Sequence, residues 1–342
     1  MQVTRLGTHI GACIDGIDLR RLDDAGFAAV ERAFHAHGVI AISDQWLDEP
    51  QLIAFSRRFG ELELNVASSF HHPDYPYVNI LSNKRRADGT PMGSPDAGQG
   101  WHTDMSYNPV PARASILYAL EVPMRDGAPL GDTLFAGMGA AWDALEPDLR
   151  ARLERLRGVH HFSKFYDYMI DEKGSPRPRL TEAQKATKPP VVHPMAVRHP
   201  FTGRTCLYCD PGYTVRIEGL AEAESAALLR QLFAFQTQDE FVYRHKWRVG
   251  DVLMWDNIAT IHMATGGYTD AEHRLMHRTQ VLGDGARYRA ANPERRAQSL
   301  SARRGGASEF TENGKARGAA VKGIEPAAPR RRYSALATRV GW

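Results

Sequence analysis

Two histidines and an aspartate carry the first chemical signal in this chain. In GWHTDMSYNP, His102 and Asp104 lie two residues apart, and on an extended backbone alternate side chains share a face. An imidazole and a carboxylate would then project to one point. Alone, such a pair is more often a solvated strand end than a metal site. His262, far downstream in the apolar run of GDVLMWDNIATIHMATGGY, changes that balance. Two imidazoles and one carboxylate leave three adjacent positions open on an octahedral metal, the facial arrangement that suits non-haem Fe(II) oxygenases. Zinc hydrolysis uses similar ligands, so ligand type alone leaves the metal open.

Arg274 and Arg278 follow His262 in HRLMHRTQV, and their even spacing puts both guanidiniums on one face of a predicted strand. Arg presents a planar two-point fork that stays charged, which suits carboxylates. Thr133 in GDTLF adds a hydroxyl that can donate to the same carboxylate. Together these residues suggest a dicarboxylate co-substrate beside a redox metal.

The elements that must carry these groups read as strands with helices inserted among them. DDAGFAAVERAFHAHG has helical periodicity and stops at Gly38, VIAISD is a buried strand, and EPQLIAFSRRFG is a second helix with Pro50 in its first turn. Residues 84–100, dense in Gly, Pro and polar side chains, are expected to be a mobile loop. ASILYALEVP and GDTLFAG read as strands, GMGAAWDALEPDLRARLERLRG as one long amphipathic helix, and 171–190 as a polar connection. VVHPMAVRHP and TCLYC form a hairpin across Thr202-Gly203. ESAALLRQLFAFQTQ is a helix, and FVYRHKW, DVLMWD, TIHMAT and LMHRTQVL are strands. The fold class is mainly β with inserted helices, an antiparallel barrel rather than a doubly wound sheet.

The formal charge of +3 conceals two opposite parts. Residues 287–342 carry 13 Lys/Arg against four acids, so that region is +9 and residues 1–286 are −6. The tail, 291–342, has few large apolar residues and no sustained periodicity, and is expected to be disordered or loosely packed. It has no aromatic interleaving, which argues against nucleic-acid binding. No apolar run is long enough for a membrane span, and three cysteines with no signal-peptide pattern point to a reducing, cytoplasmic setting.

At this point the motifs themselves resemble a known family. From about Leu6 to Tyr288 the chain is similar to the iron(II)- and 2-oxoglutarate-dependent dioxygenases of the taurine dioxygenase and 2,4-dichlorophenoxyacetate dioxygenase (TauD/TfdA) type. The resemblance runs through GTHIGACIDGIDL, RRFGELE, WHTD, GDTLF, HP…RHPFTGRTCLY, GLAEAES…LL, and WDNIATIH with HRLMHR. It implies a double-stranded β-helix (jelly roll, cupin-like). It also implies iron ligation by His102, Asp104 and His262, with no catalytic residue beyond the metal centre. Thr133 and Arg274 would hold the distal carboxylate of 2-oxoglutarate, and Arg278 the acidic group of the primary substrate. The implied reaction uses Fe(II), 2-oxoglutarate and O2, and couples formation of succinate and CO2 to oxidation, chiefly hydroxylation, of a substrate C–H bond.

Where the family pattern is departed from, the substrate side is affected. Leu130-Gly131-Asp132-Thr133 replaces the usual Gly-Gly-Asp-Thr. Asn65 stands where taurine dioxygenases carry a sulfonate-binding histidine, and Cys209-Asp210 followed by Pro211-Gly212-Tyr213 replaces their Val-Asn. Asn65, Tyr166, Asp210 and Tyr213 are therefore expected to join Arg278 in binding a small, anionic substrate other than taurine. Phe165, His71 and His72 lie in segments that could line its mouth. His160, His161, His273 and His277 are expected at the surface or around the ligands, Trp101, Trp247 and Trp255 in the core, and Cys206 and Cys209 as structural residues. The expected organisation is one dioxygenase domain, 1–290, with the loop at 84–100 and an insertion at 162–190, assembling as a homodimer or homotetramer. A non-catalytic metal-binding jelly roll and a zinc hydrolase are the alternatives, distinguished by metal stoichiometry and by dependence on O2.

Overall fold

Runs such as Val39–Ile42, Asn79–Ser82 and Val252–Asp256 are buried at every position, the pattern of strands covered on both faces. The computed structural model describes residues 1–64, 70–175 and 179–293. Asn65, and the tail from 294 onward, fall outside the described residues.

Strands β1 (Gln2–Arg5) and β2 (Ala12–Asp15) pair antiparallel, and α1 (Asp24–His37) follows. Asp23 opens α1 by accepting from the Gly26 N–H, and Gly38 closes it at φ +67°, a left-handed cap that suits glycine. β3 (Val39–Ile42) leads to α2 (Glu49–Arg57), started by an Asp48/Gln51 capping box. β4 (Asn79–Ser82), β5 (Ala114–Glu121), the short pair β6 (Met124–Arg125) and β7 (Ala128–Pro129), and β8 (Thr133–Gly137) come next.

The predicted long helix after β8 is two helices, α3 (Met138–Ala144) and α4 (Pro147–Leu153). Pro147 disfavours helical geometry at the residue before it, and Leu145 and Glu146 are extended, at ψ 144° and 142°. β9 (Arg157–His160), α5 (Phe162–Asp171) and α6 (Glu182–Ala186) follow, so the 171–190 connection holds a capped helical turn begun by Thr181. β10 (Val191–Pro194), then the hairpin of β11 (Ala196–Arg198) and β12 (Thr205–Leu207), precede β13 (Thr214–Ile217) and α7 (Glu222–Gln236). β14 (Val242–His245), β15 (Val252–Asp256), β16 (Thr260–Ala264), β17 (Leu275–Val281) and α8 (Gly285–Ala291) complete the chain described.

A seven-stranded sheet runs β1-β2-β3-β15-β5-β17-β4, antiparallel except between β2 and β3. A three-stranded antiparallel sheet, β14-β8-β16, faces it. Leu81, Leu117, Leu253, Trp255 and Met276 of the larger sheet pack with Phe135 and Tyr243 of the smaller one to form the inner core. The other face of the larger sheet buries Ile40, Ile116 and Met254 against Phe34 of α1 and Leu52 of α2. This is the antiparallel β architecture with inserted helices that the strand pattern predicts, and the jelly roll that the resemblance implies. Loop 84–100 is irregular as expected but tied down: Ser94 N–H donates to the Ile80 carbonyl, and the Gly98 carbonyl accepts from Ala264 N–H. Residues Met1–Glu294 form one compact unit. Among the described residues no helix is long and apolar enough to cross a membrane.

Candidate metal centre

His102 and His262, 160 positions apart, meet through their backbones. They form an isolated antiparallel bridge in which His102 N–H donates to the His262 carbonyl at 3.0 Å and His262 N–H returns the bond at 2.7 Å. Opposed residues of such a bridge project to one side, so the two imidazoles lie with centroids 4.2 Å apart. The strand carrying His262 starts from a tight turn built by Asp256. Its Oδ1 accepts from the N–H groups of Ile258 and Ala259, both at 2.8 Å, and its carbonyl accepts from the Thr260 hydroxyl. Just after Asp104, Met105 turns the chain at φ +60°, a conformation costly for a residue with a side chain.

The three side chains converge. Asp104 Oδ1 lies 3.7 Å from His102 Nε2, and Asp104 Oδ2 lies 3.9 Å from His262 Nε2. One ligand atom from each residue lies within 4.8 Å of the other two, and all three residues are buried. His102 Nδ1–H donates to the Gly100 carbonyl at 2.7 Å, which fixes the tautomer and leaves the Nε2 lone pair directed at the centre. Ser115 Oγ donates to Asp104 Oδ2 at 2.5 Å, and is itself held by Asn257 Nδ2 at 3.2 Å.

Burial by itself would raise the Asp104 carboxyl. His262, Arg278, His102 and the Ser115 hydrogen bond overcome it and hold the group near 2. Burial drives His102 below its ordinary range, and burial with repulsion from His102 drives His262 well below it. The donor set is therefore two neutral imidazoles and a carboxylate, and His262 Nδ1 is buried with no hydrogen-bond partner among the described residues. Such a set fits a divalent cation, whose charge offsets the cost of the buried anion.

Thr133 opens β8 and is buried; Trp247 Nε1 donates to its Oγ1 at 3.0 Å, leaving the hydroxyl proton available to an acceptor. Arg274 does not share the strand with Arg278. It lies one residue before β17, ahead of a register shift between Leu275 and Met276, with its N–H on Asn83 Oδ1 and its carbonyl accepting from Ser82 Oγ. Arg274 is buried and Arg278 partly buried, and the Nε atom of each is buried without a hydrogen-bond partner among the described residues. Arg278 NH1 is 3.7 Å from Asp104 Oδ1.

On the open side of His102, Phe165 stacks on the ring at 4.9 Å and Tyr213 approaches edge-on at 6.1 Å. Tyr107, three residues after Asp104, packs on Tyr213 at 4.9 Å. Tyr166, expected at the substrate, lies on α5, where its ring pairs with Phe162 at 6.1 Å and its neighbour Phe165 is the residue stacked on His102. Asp210 is fully buried and closes the turn that carries Tyr213, accepting from Tyr213 N–H at 2.7 Å and Ser106 Oγ at 3.3 Å. Asn65 lies outside the described residues.

Of the remaining histidines, His160 and His277 are buried rather than at the surface. The three tryptophans pack in the core, and Cys206 and Cys209 are free thiols in two separate apolar clusters. Sequence reasoning passed over Ser115, Asn257, Tyr107 and the Trp247 N–H. Only Ser115 left a signal, as the one aliphatic hydroxyl in the apolar run ASILYAL.

Residues 2–280 match the family described as "Taurine catabolism dioxygenase TauD, TfdA family". Pentalenolactone F synthase of Streptomyces avermitilis is 32% identical over 298 residues, covering 83% of this chain and 95% of that protein. The (S)-phenoxypropionate/alpha-ketoglutarate-dioxygenase of Sphingobium herbicidovorans is 34% identical over 286 residues, covering 83% of this chain and 96% of that one. Among solved structures, AAD-2 in complex with Mn(II) and N-oxalylglycine is similar with a TM-score of 0.67 and 30% identity, over 83% of this chain and 97% of that one.

Proposed function

We propose a substrate class and a set of residue roles from the premise that this chain belongs to the TauD/TfdA family and is a 2-oxoglutarate-dependent dioxygenase. It acts on a small molecule and uses Fe(II), 2-oxoglutarate and O2. His102, Asp104 and His262 would hold the iron. When bound, the metal supplies activation of O2, coupled to conversion of 2-oxoglutarate to succinate and CO2 and to hydroxylation of a substrate C–H bond.

The chain's own residues do the rest. In this reading the Arg274 guanidinium and the Thr133 hydroxyl receive the distal carboxylate of 2-oxoglutarate. Trp247, donating to the Thr133 oxygen, leaves the Thr133 proton for that carboxylate. Ser115 holds one Asp104 oxygen, and the Gly100 carbonyl orients His102. Phe165, Tyr213 and Tyr107 form an aromatic wall that excludes water from the His102 side and gives an apolar body something to stack on.

The substrate is a small acid with an apolar body. The observation that carries this is Arg278, whose guanidinium stands 3.7 Å from Asp104 inside the protein. The Sphingobium relative, whose name specifies an aryloxy acid, supports the same class. Succinate release should require added Fe(II) and 2-oxoglutarate and rise with carboxylic acids that bear an aromatic or alicyclic body. A panel in which the neutral amides stimulate release and the acids do not would overturn the assignment.

We extend the proposal to a cytoplasmic enzyme, which three unpaired thiols support, and to a homodimer or homotetramer, to be tested by sedimentation. Residues 1–290 are assigned as the catalytic domain and 291–342 as an appended tail. Asn292 is bonded to Arg198, so the cut that tests this follows residue 294. Protein lacking 295–342 should bind metal and 2-oxoglutarate like the full chain, and loss of both would show that the tail belongs to the fold.

A further inference from the structure

One row of residues crosses the inner face of the large sheet. Leu253 lies opposite Ala41 on β3 and Leu117 on β5, Leu117 lies opposite Arg278 on β17, and Arg278 lies opposite Asn79 on β4. Opposed residues in an antiparallel ladder project to one face with Cβ atoms roughly 5 Å apart. The row beside it pairs Leu81 with Met276, and both belong to the inner core with Phe135 and Trp255. By alternation Asn79 and Arg278 face the same interior. The row thus starts apolar at Ala41 and turns polar where Arg278 approaches Asp104.

Asn79 is 4% exposed, and its Nδ2 is buried with no hydrogen-bond partner among the described residues. Arg278 Nε, across the ladder, is in the same condition. A buried donor without an acceptor is costly, and leucine would fill the same strand position with no polar group to satisfy. Two adjacent, inward-facing, unsatisfied donors beside the ligand carboxylate call for an acceptor with two oxygens.

We propose that Asn79 is a second binding residue for the substrate's acid group. Its carboxamide takes one oxygen of a carboxylate whose other oxygen is taken by Arg278. This deepens, and rests on, the reading of Arg278 as the acid anchor. The pair selects a compact, planar oxyanion, and sets that group against β4 and β17 while the apolar body lies toward Phe165 and Tyr213.

The test uses full-length protein loaded with Mn(II) and N-oxalylglycine, which cannot turn over. Phenoxyacetate, 2-phenoxypropionate, benzoate and their amides are titrated calorimetrically into wild type, Asn79→Leu and Arg278→Leu. Asn79→Leu should weaken the acids about tenfold or more, as expected for a hydrogen bond to a charged group, and leave the amides unchanged. The ligand-free Asn79→Leu protein should melt at the wild-type temperature or above it. If Asn79→Leu retains wild-type affinity for the acids while Arg278→Leu loses it, Asn79 has no part in the site and this inference falls alone. Equal weakening of acids and amides with a lowered melting temperature assigns Asn79 a structural role and also overturns it. A wild-type protein that binds none of the acids, or an Arg278→Leu protein that binds them equally well, removes the underlying reading of Arg278.

Discussion

Gly212 offers a sharp test of how closely the centre is built. It lies between Asp210 and Tyr213 in the turn that backs His102. A methyl group placed on it would lie 2.7 Å from His102 Cβ and 3.2 Å from both Asp210 Oδ1 and Phe165 Cδ2. Carbon atoms rest at about 3.5–4.0 Å, so Gly212→Ala requires a displacement of roughly 1 Å. His102 cannot yield along its strand, because two backbone bonds tie it to His262. Nor can its ring turn freely between Phe165 at 4.9 Å and the Gly100 carbonyl at 2.7 Å. A shift of that size breaks the Nδ1 hydrogen bond and moves Nε2 off the centre. Disturbances around ligands typically cost about 10–100-fold in metal affinity, and overpacking costs about 1–3 kcal/mol of stability. Mn(II) titration and thermal melting of wild type and Gly212→Ala measure both. A variant that binds Mn(II) within about twofold of wild type and melts at the same temperature would refute the claim that this turn sets the position of His102.

Three further outcomes follow from single contacts. Ser115→Ala removes the donor to Asp104 Oδ2 and should weaken metal binding about tenfold or more by the same titration, with Ser115→Thr restoring part of it. Trp247→Phe keeps an aromatic ring, smaller than indole, and removes the N–H on Thr133; 2-oxoglutarate affinity should fall about fivefold, as for one neutral hydrogen bond, and a Thr133→Val background should abolish the difference. Asp210 is raised to about 7 by burial, against an ordinary 3.8. Its proton therefore stabilises the fold at low pH, and that contribution is lost as pH rises from about 4 to about 7, by at most about 4 kcal/mol. Asp210→Asn should gain in urea midpoint over wild type between pH 5 and pH 8, and parallel curves would count against a neutral Asp210 beside His160 and Lys164.

Much of the centre was legible because its chemistry is written in short spacings. His102 and Asp104 stand two residues apart, on an isolated bridge and the turn after it, and Asp256 and Thr260 form a turn within five residues; Pro147, through which one long helix was expected, is where that helix breaks. The strand order was legible only in outline, since β15 pairs with β3 and β5 across more than a hundred residues. Arg274 and Arg278 were expected on one strand but do not share one, because the register shift at Leu275 depends on the partner strand, which their spacing does not contain.

The amino-acid sequence by itself determined which groups this protein has to offer: two imidazoles and a carboxylate for a metal, with a threonine hydroxyl and two guanidiniums besides, on an acidic body with a basic tail. Tertiary structure decided which side chains those groups meet. Phe165 and Tyr166 are adjacent on α5, and it is the packing of that helix that turns Phe165 onto His102. Asp210 looks like a pocket carboxylate in sequence, and its turn folds it inward to Tyr213 and Ser106. The physical reason is that alternation and helical period are local, set by a few neighbouring dihedrals, whereas helix phase and cross-strand register are settled by many weak contacts between distant segments.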